Sequence, residues 1–254
     1  MAITIKSERE IELMAEAGKI LERVHNELEK ALHPGMSTKD IDTLGEKIIR
    51  SYGCIPSFLN YNGYPASICV SVNQEVVHGI PDKHRIIHEG DIVSLDAGLI
   101  YKGYHSDAAR THAVGEVSEE AKKLIQVTKE CFFEGIKYAK AGNHLFDISG
   151  AIGRYAEERG YGVVRDLCGH GIGTALHEAP EIPNYEVGRK GVKLRPGMTL
   201  AIEPMINIGT YEVDWLDDDW TVVTRDGSLS AHYENTILIT EGEPRILSLT
   251  CDNE

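Results

Sequence analysis

Apolar residues recur at helical spacing from Glu8 to Leu32 and again from Glu119 to Lys140, and each stretch is preceded by a serine and opens on acidic residues. A serine able to accept a hydrogen bond from the first turn predicts a helix N-terminus at Ser7 and at Ser118. Further helical stretches follow Asp40-Ile41 and Asp147-Ile148 and end at Gly53 and Gly160. Between them the pattern shortens. Ile92 to Gly98 and Tyr104 to Val114 read as strands joined by a short turn around Lys102-Gly103, which predicts an antiparallel hairpin.

These elements fall into two halves with the same punctuation. His33-Pro34-Gly35-Met36-Ser37, Asp40-Ile41 and Gly53 are matched by Lys140-Ala141-Gly142-Asn143, Asp147-Ile148 and Gly160, always at an offset of 107. The same offset relates Gly90-Asp-Ile-Val-Ser-Leu-Asp96 to Gly197-Met-Thr-Leu-Ala-Ile-Glu203, where a glycine opens an apolar strand that ends on a carboxylate. Helix, loop, helix, strands, twice over, predicts an α+β class with pseudo-twofold halves, about 1–115 and 116–254, that share one core. No low-complexity linker divides the chain, so residues 1–254 are expected to form a single domain.

Composition removes several functions. Of 254 residues 42% are hydrophobic and 26% charged, which suits a globular domain. Lys plus Arg number 26 against 40 Asp plus Glu, and the resulting charge of −14 argues against a non-specific nucleic-acid binder. The start, Met1-Ala-Ile-Thr-Ile-Lys-Ser-Glu-Arg-Glu, is acidic where a signal peptide is apolar, and no stretch has the length of a membrane span, so a cytoplasmic location is expected. Five cysteines (Cys54, Cys69, Cys131, Cys168, Cys251) without a CxxC pair suggest neither disulfides nor a cysteine zinc site, and most are expected to be buried free thiols.

The chemistry is carried by carboxylates and histidines. Asp96 and Asp107 lie on the two arms of the hairpin, so they either face each other or sit as diagonal neighbours on one face. Carboxylates that close repel unless a cation lies between them. Glu203 stands at the duplicated position, and His232-Tyr233-Glu234 repeats the form of His105-Ser106-Asp107 after a connection about twenty residues longer. A pseudo-twofold axis would then gather four carboxylates, as a pair of divalent ions about 3.5–4 Å apart requires. A fifth candidate is His170 in Cys168-Gly-His-Gly-Ile-Gly-Thr-Ala-Leu-His-Glu178, where the flanking glycines suggest room for a ligand. His177 and His78 also sit in motif-like settings, whereas His25, His33, His84 and His88 read as solvated surface or turn residues.

Asn73-Gln-Glu-Val-Val-His-Gly-Ile-Pro81, the Asp96/Asp107 hairpin, Gly169-His-Gly-Ile-Gly173 through His177-Glu178, Ile202-Glu203-Pro204 and His232-Tyr-Glu234 together resemble the methionine aminopeptidases of the pita-bread fold, peptidase family M24. The resemblance implies a curved antiparallel sheet covered by helices. It implies that Asp96, Asp107, His170, Glu203 and Glu234 hold two divalent ions (Co²⁺, Mn²⁺, Fe²⁺ or Zn²⁺), with Asp107 and Glu234 touching both. It further implies a metal-activated hydroxide as nucleophile, Glu203 as its proton acceptor, His177 near the scissile carbonyl and His78 near the following peptide group. The methionine pocket is expected to comprise Phe58, Tyr61, Tyr64, Cys69, Leu176 and Trp220. Phe58 and Leu176 stand where members of the family often carry a cysteine and a phenylalanine, so the pocket wall is altered in detail.

The implied substrate is the N-terminus of a nascent polypeptide with a small second residue, met by a monomer that associates at most transiently with ribosomes. Neither a Cys/His-rich extension nor a long insertion in the second half interrupts the pattern, as in the bacterial-style, type I form. Three rivals fit less well. An Xaa-Pro aminopeptidase or prolidase is expected to carry a separate N-terminal domain, and an inactive pita-bread binding protein to lack ligand positions that are all present here. A two-metal phosphatase needs a cationic clamp in place of Tyr61, Tyr64 and Trp220.

Overall fold

The computed structural model describes residues 3–249. Helix α1, Glu8–Ala31, starts where Ser7 takes up an extended conformation and forms a capping box with Glu10. The Ser7 N–H donates to Glu10 Oε2 at 2.7 Å. Helices α2 (Thr38–Ser51), α3 (Glu119–Ile136) and α4 (Leu145–Glu157) follow. Ser118 Oγ caps α3 by accepting from Ala121 N–H at 3.1 Å. That helix ends four residues before the Lys140 suggested by its apolar spacing. The chain tightens there through Tyr138→Gly135 and Ala139→Ile136 backbone bonds and then turns at Gly142, whose φ of +93° leaves the helical region.

The duplication is visible in the backbone. Gly35 and Gly142 both stand at φ +93° with open space where a Cβ would lie, so a left-handed turn and not crowding demands glycine. The Gly35 N–H donates to Ile87 O at 2.8 Å, and the Gly142 N–H to Leu194 O at 3.1 Å. Ser37 bridges to Ile86 as His144 bridges to Lys193. All of these pairs keep the offset of 107.

The main sheet is antiparallel and runs in the order 55–56, 92–101, 104–113, 234–238, 199–202, 169–171 and 178–182, with 68–72 beside the second of these and 245–246 beside the fourth. Val93, Leu95, Ala97, Leu99 and Ala108 turn to one face and pack against Leu21, Val24 and Leu28 of α1. Leu200, Ile202 and Ile237 likewise join Leu124 and Phe132 of α3 and Ile148 of α4. Each such fully buried aliphatic contributes about 1.5–3 kcal/mol. Because side chains alternate along a strand, the intervening residues are left on the opposite face.

His25 departs from its expected place on the surface. It is buried on α1, and its Nε2 donates to Ala108 O at 2.8 Å, holding the backbone of a central strand. Cys54, Cys69 and Cys131 are buried free thiols and Cys168 is half-buried, while Cys251 lies outside the described residues. Among the described residues no helix is long and apolar enough to cross a membrane.

Candidate metal centre and pocket

Strand register decides which side chains meet. In the hairpin Asp96 pairs with Ala109 and Asp107 with Gly98, so the two aspartates are diagonal neighbours on one face. The turn is the two-residue Lys102-Gly103 with both φ positive, +49° and +88°, a conformation that matches the strands' twist. Glu234 also pairs with Ala109, which places it in the same row as Asp96. Ala201 pairs with Thr236 on one side and His170 on the other, so His170 shares that face, as does Glu203 two residues after Ala201. Five polar side chains thus project from the face opposite the helices.

One ligand atom each from Asp107, His170 and Glu234 lies within 4.8 Å of the others. His170 Nδ1 donates to Gly171 O at 2.8 Å, which leaves Nε2 as the lone pair facing Asp107 Oδ2 at 3.9 Å and Glu203 Oε1 at 3.7 Å. Burial keeps that imidazole neutral, pushing its pKa down to about 3. Burial raises all four carboxyl groups, Asp107 to about 7 and Asp96, Glu203 and Glu234 well above the ordinary carboxylate range, each of these three also feeling the Asp107 charge. Asp96 Oδ1, Asp107 Oδ1 and Glu234 Oε1 are buried without a hydrogen-bond partner. Orphaned carboxylate oxygens beside a neutral imidazole are a donor set that fits divalent cations.

The glycines around His170 serve a different purpose from the one their spacing suggests. A Cβ on Gly169 would lie 2.4 Å from Ala201 O, and one on Gly171 would lie 2.2 Å from Ala179 O. They admit neighbouring strands and not a ligand.

A cavity of about 130 Å³ opens directly on this cluster. Phe58, Tyr61, Tyr64, Cys69, Leu176 and Trp220 line it together with His78 and His177. Tyr64 packs edge-on against Trp220 with centroids 5.1 Å apart, and its hydroxyl donates to Gly79 O at 2.9 Å. His177 stacks edge-on against His170 at 4.2 Å and shares a 2.9 Å hydrogen bond with the Tyr61 hydroxyl through Nδ1. His78 is held at φ +59°, an uncommon conformation for a residue with a side chain. Its pKa is pushed down to about 4 by burial and then by His177.

Every site residue expected from the sequence borders this one cavity. Asn62 borders it too, a residue that the sequence marks only as half of the Asn62-Gly63 turn signal beside Tyr61 and Tyr64. His232, which the sequence marks only within the His232-Tyr233-Glu234 tripeptide, is 2% exposed, with Nε2 3.8 Å from Glu203 Oε2.

A buried carboxylate and imidazole cluster on the floor of an apolar cavity is the site of a metal-dependent hydrolase, and comparison with known proteins supports that class. The family model described as metallopeptidase family M24 matches residues 12–241. A methionine aminopeptidase of Clostridium acetobutylicum is 59% identical over 97% of this chain and 99% of its own. The crystal structure of a Thermotoga maritima methionine aminopeptidase superposes with a TM-score of 0.96 at 47% identity, covering 98% of this chain and all of that one. A Bacillus anthracis Xaa-Pro dipeptidase reaches 0.77 at 27% identity, and this chain spans only 62% of its length. The chain belongs to metallopeptidase family M24. Within that family it stands with the methionine aminopeptidases, and it has their pita-bread fold.

Proposed function

We propose that this enzyme removes methionine from the N-termini of polypeptides whose second residue is small, using two divalent ions. The observation that carries the reading is the junction of two environments, a buried set of unpaired carboxylate oxygens that opens onto a cavity lined by Tyr64, Cys69, Leu176 and Trp220. The first environment suits metal and the second a thioether side chain. Asp96, Asp107, His170, Glu203 and Glu234 would hold the ions, with Asp107 and Glu234 central to both. When bound, divalent metal supplies water acidic enough to attack a peptide carbonyl near neutral pH.

The chain's own groups then do the rest. Glu203 lines the cavity and takes the proton released by the attacking water. His177, oriented by Tyr61, faces the scissile carbonyl and stabilises the charge that develops on its oxygen. His78, fixed by its backbone, abuts the following peptide group and restricts the second residue. Phe58, Tyr61, Tyr64, Cys69, Leu176 and Trp220 hold the methionine side chain and exclude water. On this reading residues 1–254 act as one catalytic domain, working as a cytoplasmic monomer that meets nascent chains, with any ribosome contact transient.

The test is a single panel: a Met-Ala-Ser peptide, an Xaa-Pro peptide and a phosphate ester, each with added Mn²⁺ or Co²⁺. Release of methionine from the first alone is expected. Preferred cleavage before proline would replace the proposal with a prolidase-like activity.

A further inference from the structure

The two halves each place a histidine two residues before a carboxylate of the centre, His105 before Asp107 and His232 before Glu234. His105 is satisfied, since its Nδ1 lies 2.9 Å from Ser57 Oγ. His232 is not: it is 2% exposed and neither ring nitrogen has a partner. A buried, unpaired imidazole costs free energy unless something uses it.

Its position is tightly set. Thr111 Oγ accepts the His232 N–H and donates to the His232 carbonyl, both at 2.9 Å, and the strand pairing puts His232 opposite Met205, two residues past Glu203. Nε2 then lies 3.8 Å from Glu203 Oε2 and 4.0 Å from Glu234 Oε2. His232 also borders a separate cavity of about 290 Å³ with His25, Arg110, His112 and Lys129. A lone pair on Nε2 would repel both carboxylates, so the neutral tautomer favoured here carries its proton on Nε2.

We propose that His232 is a positioning residue of the centre, its Nε2–H donating to Glu203 and setting which oxygen of that carboxylate is left for metal and proton. The 3.8 Å separation exceeds a hydrogen bond by less than about 1 Å, and rotation of the Glu203 side chain closes it. The inference rests on the metal reading above. Groups that orient ligands in this way are worth about 10–100-fold in metal affinity or activity.

The test uses the full chain, stripped of metal, as wild type, His232→Leu and His232→Gln. Calorimetric Kd for Mn²⁺, the visible spectrum of the Co²⁺ form, and kcat and KM for Met-Ala-Ser are measured for each. His232→Leu is expected to weaken Mn²⁺ by about 10–100-fold, shift the Co²⁺ bands and lower kcat with KM little changed. The amide of His232→Gln can place an N–H where Nε2 stands and should recover most of the loss. If the leucine variant fails to fold, His232→Asn, too short to reach Glu203, replaces it in the comparison. A leucine or asparagine variant with wild-type Kd and spectrum overturns the proposal whatever its thermal stability, as does a glutamine variant no better than the leucine one. Wild type that binds no divalent ion is a distinct result and defeats the metal reading itself.

Discussion

The two halves of the molecule share a scaffold and differ in what they do with it. In the first half Asp96 and Asp107 stand on strands joined by the two-residue Lys102-Gly103 turn. In the second half Glu203 and Glu234 occupy the corresponding strands, but the connection is about twenty residues longer and forms the short strands 205–207, 213–215, 222–224 and 230–232. That excursion delivers Trp220 to the cavity and His232 to the carboxylates. Duplication brings four carboxylates to one face, and the unequal connections give them unequal surroundings. Both halves line the cavity, Tyr64 and Cys69 from the first and Leu176 and Trp220 from the second, and on the proposed reading both hold metal while only the second supplies the base.

The comparison can be broken at its strongest point first. Asp107→Asn and Glu234→Gln, the proposed central ligand from each half, should each lose bound metal and at least about 10³-fold in turnover. Elemental analysis beside methionine release checks this, and loss in one half only would mean that the halves do not contribute equally to binding. Next comes the asymmetry. Glu203→Gln should retain metal but lose on the order of 10²–10⁴ in kcat, because its amide cannot take a proton. His177→Ala should cost about 10²–10³ in kcat with metal content unchanged; metal loss instead would make it a ligand.

Acid stability is expected to show a smaller effect. Burial pushes the pKa of His105 and of His78 down to about 4, below the value near 6.5 of an unfolded chain. A lowered imidazole means that the unfolded state binds more protons, so stability is fully present above pH 6.5 and is lost as pH falls from there towards 4. Each such group contributes on the order of 1 kcal/mol per pH unit inside that window. Urea unfolding between pH 4 and 8 should therefore show a shallower acid loss for His105→Gln than for wild type. The smallest expected change sharpens the symmetry itself: Gly35→Ala and Gly142→Ala should each destabilise by about 1 kcal/mol, and equally, since both sit at φ +93° in open space.

Much of this was legible in the sequence because it depends on period and spacing. Alternation along the hairpin put Asp96 and Asp107 on one face, and the constant offset carried the argument to Glu203 and Glu234. The sequence left open whether the aspartates face each other; the turn's two residues decide for the diagonal. What escaped depended on contacts that no local pattern encodes. His25 stands at helical spacing from the buried Leu21 and Leu28 of α1, so period alone puts it on the core face; what no local pattern encodes is its polar partner there, the strand carbonyl of Ala108. Gly169 and Gly171 read as ligand space, whereas the pressure comes from the backbone carbonyls of Ala201 and Ala179 on the neighbouring strands. Helix α3 stops at Ile136 although its apolar spacing runs on, because the turn at Gly142 claims the last residues.

The central claim, that the duplicated carboxylates assemble a two-ion centre that cleaves methionine, is tested most directly by titration. Metal-free protein is supplied with increasing Mn²⁺ while free methionine is measured from a Met-Ala-Ser peptide. The account requires no release at zero metal, and activity that climbs with occupancy and levels off once both ion sites are filled. Methionine release that persists in protein shown by elemental analysis to contain no metal, or fully loaded protein that releases none, would contradict it.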